Sequence, residues 1–552
     1  MPSLVVLAPI LIPLVAAALI TAFGLAGVDL GRISCAVGAW GAVAALLLLW
    51  LSVRSTQDLN LGPLGFGSPL LLRIDAVGFA FGLMVTVPAA VLLSLQPRTW
   101  QEATVALVGV AAAITAIESG GVVLCAFAGG TAATLAVVQL DTEDVKAPRP
   151  SWGLLLGSWL ALSWAGVIFE ARVGTDGFAA VPVANLTGPV FALIAVAALG
   201  ASGLFPWRSW PAIVWSRPSL RAAGMSVATL YPLGFYLLVR AYEIGDGRYP
   251  QPGLNVVLGG LGVAVALSAA IRAQGAATRR DFLAEVIPGF GGFALMMIAL
   301  GTPLGLVAGL LSLATASALT ACLALLPDRA GLASLFAVAA AAGLPPGFAF
   351  GARVLGLEAT FEAGNSIGLI GLAGAATWVV WIVAAARAIG LPGGPGHAVA
   401  ETFPRIAMAI AAVTIVAGPA LAAFQSAFAN PAQGKVMTGS SAGSVAGGLV
   451  SVETVSTVLP ALSLFIPLLA IAVLVYAFAG TTPVRGQTRP ALFTMPGRQP
   501  FARLWAAVRA TRVPDQYRSI VDLRAIESAA AGGHAVLWLA ALAALVFAVT
   551  RQ

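Results

Sequence analysis

Among the ionisable residues inside or at the edges of long apolar runs, five are candidates for chemistry: Asp75, Glu285, Arg353, Glu358 and Glu362. An ionised side chain in a hydrocarbon interior costs about 2.5–3.5 kcal/mol on the insertion scale, so groups kept there are candidates for moving or holding ions. Arg353 with Glu358 and Glu362 forms the densest set, and an ion pair that merely pins a helix is its ordinary structural alternative. Asp75 follows Arg73 at a helix entrance, where the expected pairing is between those two neighbours. Glu285 precedes Pro288-Gly289, a place where a carboxylate could line a cavity. Glu118 and Glu170 fall at the ends of apolar runs, where snorkelling to water accounts for them. His397 and His534 lack neighbouring ligands, so no metal centre is expected. Cys35, Cys125 and Cys322 lie far apart in apolar segments, which excludes a disulfide framework or a cluster motif and leaves packing as their role. No phosphate loop, dinucleotide fingerprint, nucleophile elbow or haem ligand pair is present, so no cofactor is expected and no catalytic centre lies in this chain.

The elements that must carry these residues are membrane spans. Of 552 residues 59% are hydrophobic and 9% charged, far below the roughly 25% charge of soluble chains; an all-α polytopic membrane protein is the class that fits. A ruler of about 20 apolar residues per span gives about 14–16 transmembrane helices. The first, beginning at the amino terminus, lacks the basic region of a cleaved signal and is expected to remain. Of 29 basic side chains only two, Lys146 and Lys435, are lysines, and both lie in polar stretches. No apolar run therefore contains a lysine that could titrate. The net charge of +7 resides in arginine-rich loops of a multi-pass bacterial inner-membrane protein, with the bilayer, not nucleic acid, as its partner.

Along the chain, residues 1–118 read as N-terminal helices, 119–260 and 261–425 as two helical repeats, 426–480 as a flexible Gly/Ser/Ala-rich loop with one more helix, and 481–552 as a basic segment with a C-terminal helix. In that last segment Phe501, Leu504, Trp505 and Val508 share one helical face, as in a surface-lying amphipathic helix facing the cytoplasm. Two apolar runs are interrupted by proline: GLFPWRSWPAIVWSRPSL, with Pro206, Trp210 and Pro218, and GLPPGFAFGARVLGLEATFEAG, with Pro345 and Pro346. Paired broken helices in two halves of a bundle point to an ion pathway.

Both broken runs resemble the antiporter-like membrane subunits of respiratory complex I, Mrp-type antiporters and hydrogenase-4-type complexes. The family's K-x-x-x-x-P-F-H-x-W-L-P and following blocks align without gaps from Ala201 to Tyr236, and its G-L-P-P-x-x-G-F-x-x-K aligns from Gly343 to Arg353. Arg73-Ile74-Asp75 is similar to its R-x-D entry. The resemblance implies two inverted five-helix repeats with broken helices, a buried lysine/glutamate proton relay, and other membrane and peripheral subunits of a larger complex as partners, of the NADH:quinone oxidoreductase or hydrogenase kind. It also implies an alternative, the membrane subunit of a two-component inorganic-carbon uptake system that anchors a soluble enzyme-like partner.

Carried over residue by residue, the relay is missing. The family's glutamate falls at or beside Gly130, its partner lysine at Pro232, an earlier lysine at Ala201, the histidine at Ser226 and later lysines near Phe282 or Leu283 and at Thr320. Only Arg353 remains basic. Arginine keeps its proton, with a pKa above about 12, so it can be a fixed charge and not a carrier. The expected function is an antiporter-like subunit that has lost its relay and is either structural or a conduit using the remaining carboxylates.

Overall fold

The computed structural model describes residues 2–478 except 29–30, 66–67, 97, 144–151, 205–209, 218–219, 327–330, 395–401, 441, 443–445, 448–451, 454–457 and 460. The expected surface helix, the final span, His397, His534, Pro206 and Pro218 lie outside the described residues.

Helices dominate. They are α1 (Ala8–Leu25), α2 (Gly31–Val53), α3 (Ala76–Leu95), α4 (Trp100–Ile117), α5 (Val122–Glu143), α6 (Trp152–Val173), α7 (Gly188–Ser202), α8 (Trp210–Trp215), α9 (Arg221–Ile244) and α10 (Leu254–Gln274). They continue as α11 (Arg279–Ala284), α12 (Val286–Ile298), α13 (Pro303–Leu325), α14 (Leu332–Ala342), α15 (Phe348–Glu362), α16 (Asn365–Ile389), α17 (Thr402–Val416), α18 (Leu421–Phe424), α19 (Asn430–Val436) and α20 (Ala461–Phe478). Ten helices among the described residues are long and apolar enough to cross a membrane. Local chemistry fixes their ends: Thr99 and Glu102 form a capping box on α4, and Thr302 accepts the Gly305 amide at the start of α13, each satisfying amides that a helix start leaves open.

α9 is buried along its whole length, and α3, α12 and α13 nearly so, whereas α1 and α2 turn Val15, Phe23, Leu48 and Leu51 outward. The central helices are thus walled by protein, and the first two expose apolar side chains. Antiparallel strands β1 (Gln57–Gly65) and β2 (Ser68–Ile74) form a hairpin between α2 and α3. Its second strand continues into the α4–α5 turn through Arg73 N to Glu118 O and Gly120 N to Leu71 O, and that turn joins the loop after α6 through Phe178 N to Gly120 O. This strip closes one end of the bundle, here called the hairpin face. The opposite end carries Arg98, Arg217, Arg221, Arg279, Arg280 and Arg387 and is called the arginine face.

The stretch expected to be a loop from residue 426 is partly helical. Residues Gln425–Ala429 form a π-helical turn leading into α19, and with α17 they form a helix pair bent by 61° that is long and apolar enough for a broken span or a re-entrant loop. The sequence lacks an apolar period here because the helix is held by small buried residues, Ala429, Ala432 and Val436, and by Phe428 stacked on Phe79 at 5.5 Å.

Candidate functional site

The two interrupted helices are built alike. α7 ends at Gly203 (φ +63°) and α14 at Gly343 (φ +66°), each followed by a Leu and, two or three residues on, a proline: GLFP and GLPP. Glycine takes the left-handed conformation without the Cβ penalty, and proline prevents the helix from continuing. A helix that stops inside a bilayer leaves carbonyls that must find donors. At the first break the Trp210 indole donates to Ala201 O at 3.2 Å. At the second, the Arg353 guanidinium donates to Ala342 O at 2.6 Å and Ala341 O at 3.1 Å, and the Trp378 indole donates to Ala342 O at 3.0 Å.

Arg353 is 3% exposed and its guanidinium carbon lies 4.7 Å from the Phe293 ring centre, 5.4 Å from Phe290 and 5.5 Å from Trp378. A cation at a helix C-terminus meets the negative end of the helix dipole, and aromatic faces add cation–π attraction. Charge is thus stabilised without a carboxylate. Five residues along a helix place Arg353 and Glu358 about 140° apart, so the two can meet only if the helix is locally wound; Glu358 is half-buried. The Glu362 side chain lies outside the described residues. Arg353 is nine residues, about 14 Å of helix rise, from the end of α15, which places it near mid-depth of a core about 30 Å thick.

The buried carboxylates are elsewhere. Asp75 caps α3 by accepting the Gly78 amide at 2.8 Å, and its two oxygens take both terminal nitrogens of Arg240 at 2.8 and 2.9 Å. Arg240 is 0% exposed; it also donates to Glu243 and, at 2.9 Å, to the Tyr236 hydroxyl, which itself donates to Ile117 O at 2.6 Å. Lys435 lies 4.0 Å from the other Glu243 oxygen. Arg73, the expected partner of Asp75, instead forms a two-pronged pair with Asp58 across the hairpin at 2.7 and 2.8 Å. With Arg73 committed to Asp58, Asp75 pairs with a residue 165 positions away. Burial raises the Asp75 carboxyl, but Arg240 and the Gly78 amide more than reverse this and hold it below the usual range. Glu118, expected to snorkel, is 1% exposed with neither oxygen partnered among the described residues; burial holds its carboxyl well above the usual range, which favours the neutral form. These groups all sit at the hairpin face.

At the arginine face Glu285, 5% exposed, pairs with Arg272 at 3.0 Å. It stands six residues into the span that starts at Arg279. Arg279 caps the end of α16, donating to Ala388 O at 3.2 Å and Ile389 O at 2.8 Å, and Arg217 donates to Leu140 O at 2.6 Å. Arginine–carbonyl caps thus recur at helix ends, a use of arginine that sequence alone did not disclose.

At the positions that the resemblance aligns with relay residues, the chain packs as follows. A Cβ at Gly129 would overlap the Trp159 ring, and one at Gly130 would meet the Trp159 Cβ at 3.5 Å. Ala201 contributes only its carbonyl, Pro232 is enclosed within α9, and the Thr320 hydroxyl donates to Ala316 O at 2.9 Å in its own helix. Among the described residues, the fully buried ionisable side chains of acidic or basic residues are Asp75, Glu118, Asp176 and Arg240 at one face, Arg217, Arg279 and Glu285 at the other, and Arg353 alone between them. No group of three or more His, Cys, Asp or Glu residues able to hold a metal ion occurs among the described residues.

Comparison with solved structures places this architecture. A chain of the Mrp complex from Dietzia sp. DQ12-45-1b superposes with a TM-score of 0.74 at 19% identity, over 100% of this chain and 63% of that one. A chain of the membrane-bound sulfane sulfur reductase, an archaeal respiratory membrane complex, gives 0.69 at 18% identity over 97% and 99%. A chain of respiratory complex I from Thermus thermophilus with bound NADH gives 0.63 at 20% over 78% and 98%. No family model and no curated protein matches the sequence. The fold is that of the antiporter-like membrane subunits, as the two broken-helix blocks led one to expect.

Proposed function

We propose that this chain, with its antiporter-like fold, is a membrane subunit of a complex-I-related assembly and serves there as a structural, non-conducting element. The observation that carries this is Arg353. It is the one fully buried charge near mid-depth among the described residues, and its donors are committed to the carbonyls of the α14–α15 break. A relay needs groups that load and release protons at working pH; an arginine held by backbone carbonyls does neither, and a fixed positive charge in the path repels cations, as in pores that exclude protons. The outlying carboxylates at either face are separated by apolar packing.

The arginine face is assigned to the cytoplasm of a bacterial inner membrane by the positive-inside rule, which sets the hairpin and its carboxylates on the outer side. The assembly role is tested by gentle purification of the intact chain from its native membrane and identification of what accompanies it. Other antiporter-like subunits with redox subunits are the expected companions. A single large zinc-containing soluble protein, with no other membrane subunit, would overturn the assignment in favour of a two-component uptake system.

A further inference from the structure

At the hairpin face a second pair of acidic side chains stands apart from the Asp75–Arg240 network. Asp176, in the loop after α6, is 1% exposed. Its backbone carbonyl accepts the Val122 amide at 3.1 Å and its carboxylate Oδ2 accepts the Val123 amide at 2.7 Å, so the residue caps the start of α5. Its Oδ1 has no donor among the described residues, and neither has Oε1 of Glu170, which faces it from the last turn of α6 within hydrogen-bonding reach. Gly121 makes room for this carboxylate: a Cβ there would come within 2.8 Å of both Asp176 oxygens.

Two buried carboxylate oxygens that face each other and lack any other donor are satisfied when one proton lies between them, and are destabilised when both groups are ionised. We infer that Asp176 and Glu170 share a single proton, forming a proton-binding site that latches the loop after α6 onto the start of α5. In the latched state one carboxyl O–H donates to the other group's carboxylate, and the pair carries one negative charge. Loss of the proton to water leaves two like charges in contact and loosens the Asp176 cap.

The groups facing Asp176 are Glu170 from α6 and the Cys125 thiol from α5; Arg172 on the same turn as Glu170 is exposed, and no lysine or arginine pairs with Asp176 among the described residues. Burial, with Glu170 adding to it, pushes the Asp176 carboxyl up to about 6. Since the folded value lies above the ordinary 3.8, the folded state binds more protons between those limits. The latch therefore contributes fully below about pH 4 and its contribution is lost as pH rises to about 6.

The test is infrared titration of the full chain in lipid nanodiscs, with carboxyl-13C aspartate labelling to assign the aspartic-acid carbonyl band without substitution. An aspartic-acid band that is lost with a midpoint near pH 6 is expected, and it should vanish in Asp176→Asn. In Glu170→Gln the amide donates to Asp176, and the midpoint should fall by at least one pH unit, a tenfold loss of proton affinity. No aspartic-acid band persisting above about pH 5 in the wild-type protein, or a midpoint unmoved in a folded Glu170→Gln variant, would overturn the shared proton. Should Glu170→Gln fail to fold, the same fall in the Asp176 midpoint is sought in Glu170→Ala, and a midpoint unmoved there overturns the shared proton.

Discussion

Arg353 shows how one residue type settles between two roles. Its guanidinium satisfies two carbonyls while lying against three aromatic rings, a planar fork that lysine cannot reproduce. Arg353→Met leaves the Ala341 carbonyl without its donor, and a loss of about 1–3 kcal/mol is expected; Arg353→Lys should retain part of the stability. Thermal unfolding in lipid nanodiscs checks both. Asp75 supplies the pH-dependent counterpart. Its folded carboxyl lies below the ordinary 3.8, so its contribution is present above about pH 4 and lost as pH falls further. Asp75→Asn should cost about 3–5 kcal/mol at pH 7, as when one partner of a buried pair is removed, and should flatten the loss of unfolding midpoint below pH 4. The sequence identified Arg353 and Asp75 as exceptional through their apolar surroundings. It could not identify their partners, because Arg240 lies 165 residues from Asp75 and Arg353 uses backbone groups, which no side-chain pattern reveals.

At the scale of elements, the breaks were legible and their repair was not. Proline and glycine write the interruption directly into GLFP and GLPP, whereas the donors that make it tolerable come from the following half-helix and from α16 through Trp378. Gly343 has to be glycine twice over: its φ is +66° and a Cβ would overlap the Arg353 guanidinium. Gly343→Ala should therefore destabilise by about 1–2 kcal/mol for the left-handed conformation alone and additionally displace Arg353; a folded variant should match Arg353→Met in unfolding midpoint or fall below it. The π-helical turn and α19 leave no helical signature in the sequence because alanine, glycine and glutamine carry no strong apolar period, and tertiary packing on α3 and α9 decides their state. The hairpin has the same origin: its strands are ordered by pairing to each other and to the α4–α5 turn.

For the whole molecule, composition alone determined the class, and spans of about 20 apolar residues located most helices. What composition left open is where the charges lie in depth. The structure sorts them to the two faces, with Arg353 alone near the middle among the described residues, the arrangement on which the proposed relay-free interior rests. The most direct measurement is proton flux into liposomes carrying the purified full chain, driven by a potassium diffusion potential and read with an internal pH dye. A relay-free interior predicts flux no greater than in protein-free liposomes, unchanged in Glu285→Gln and Glu358→Gln. Flux above that background that disappears in either variant would contradict it and establish a conduit through the remaining carboxylates.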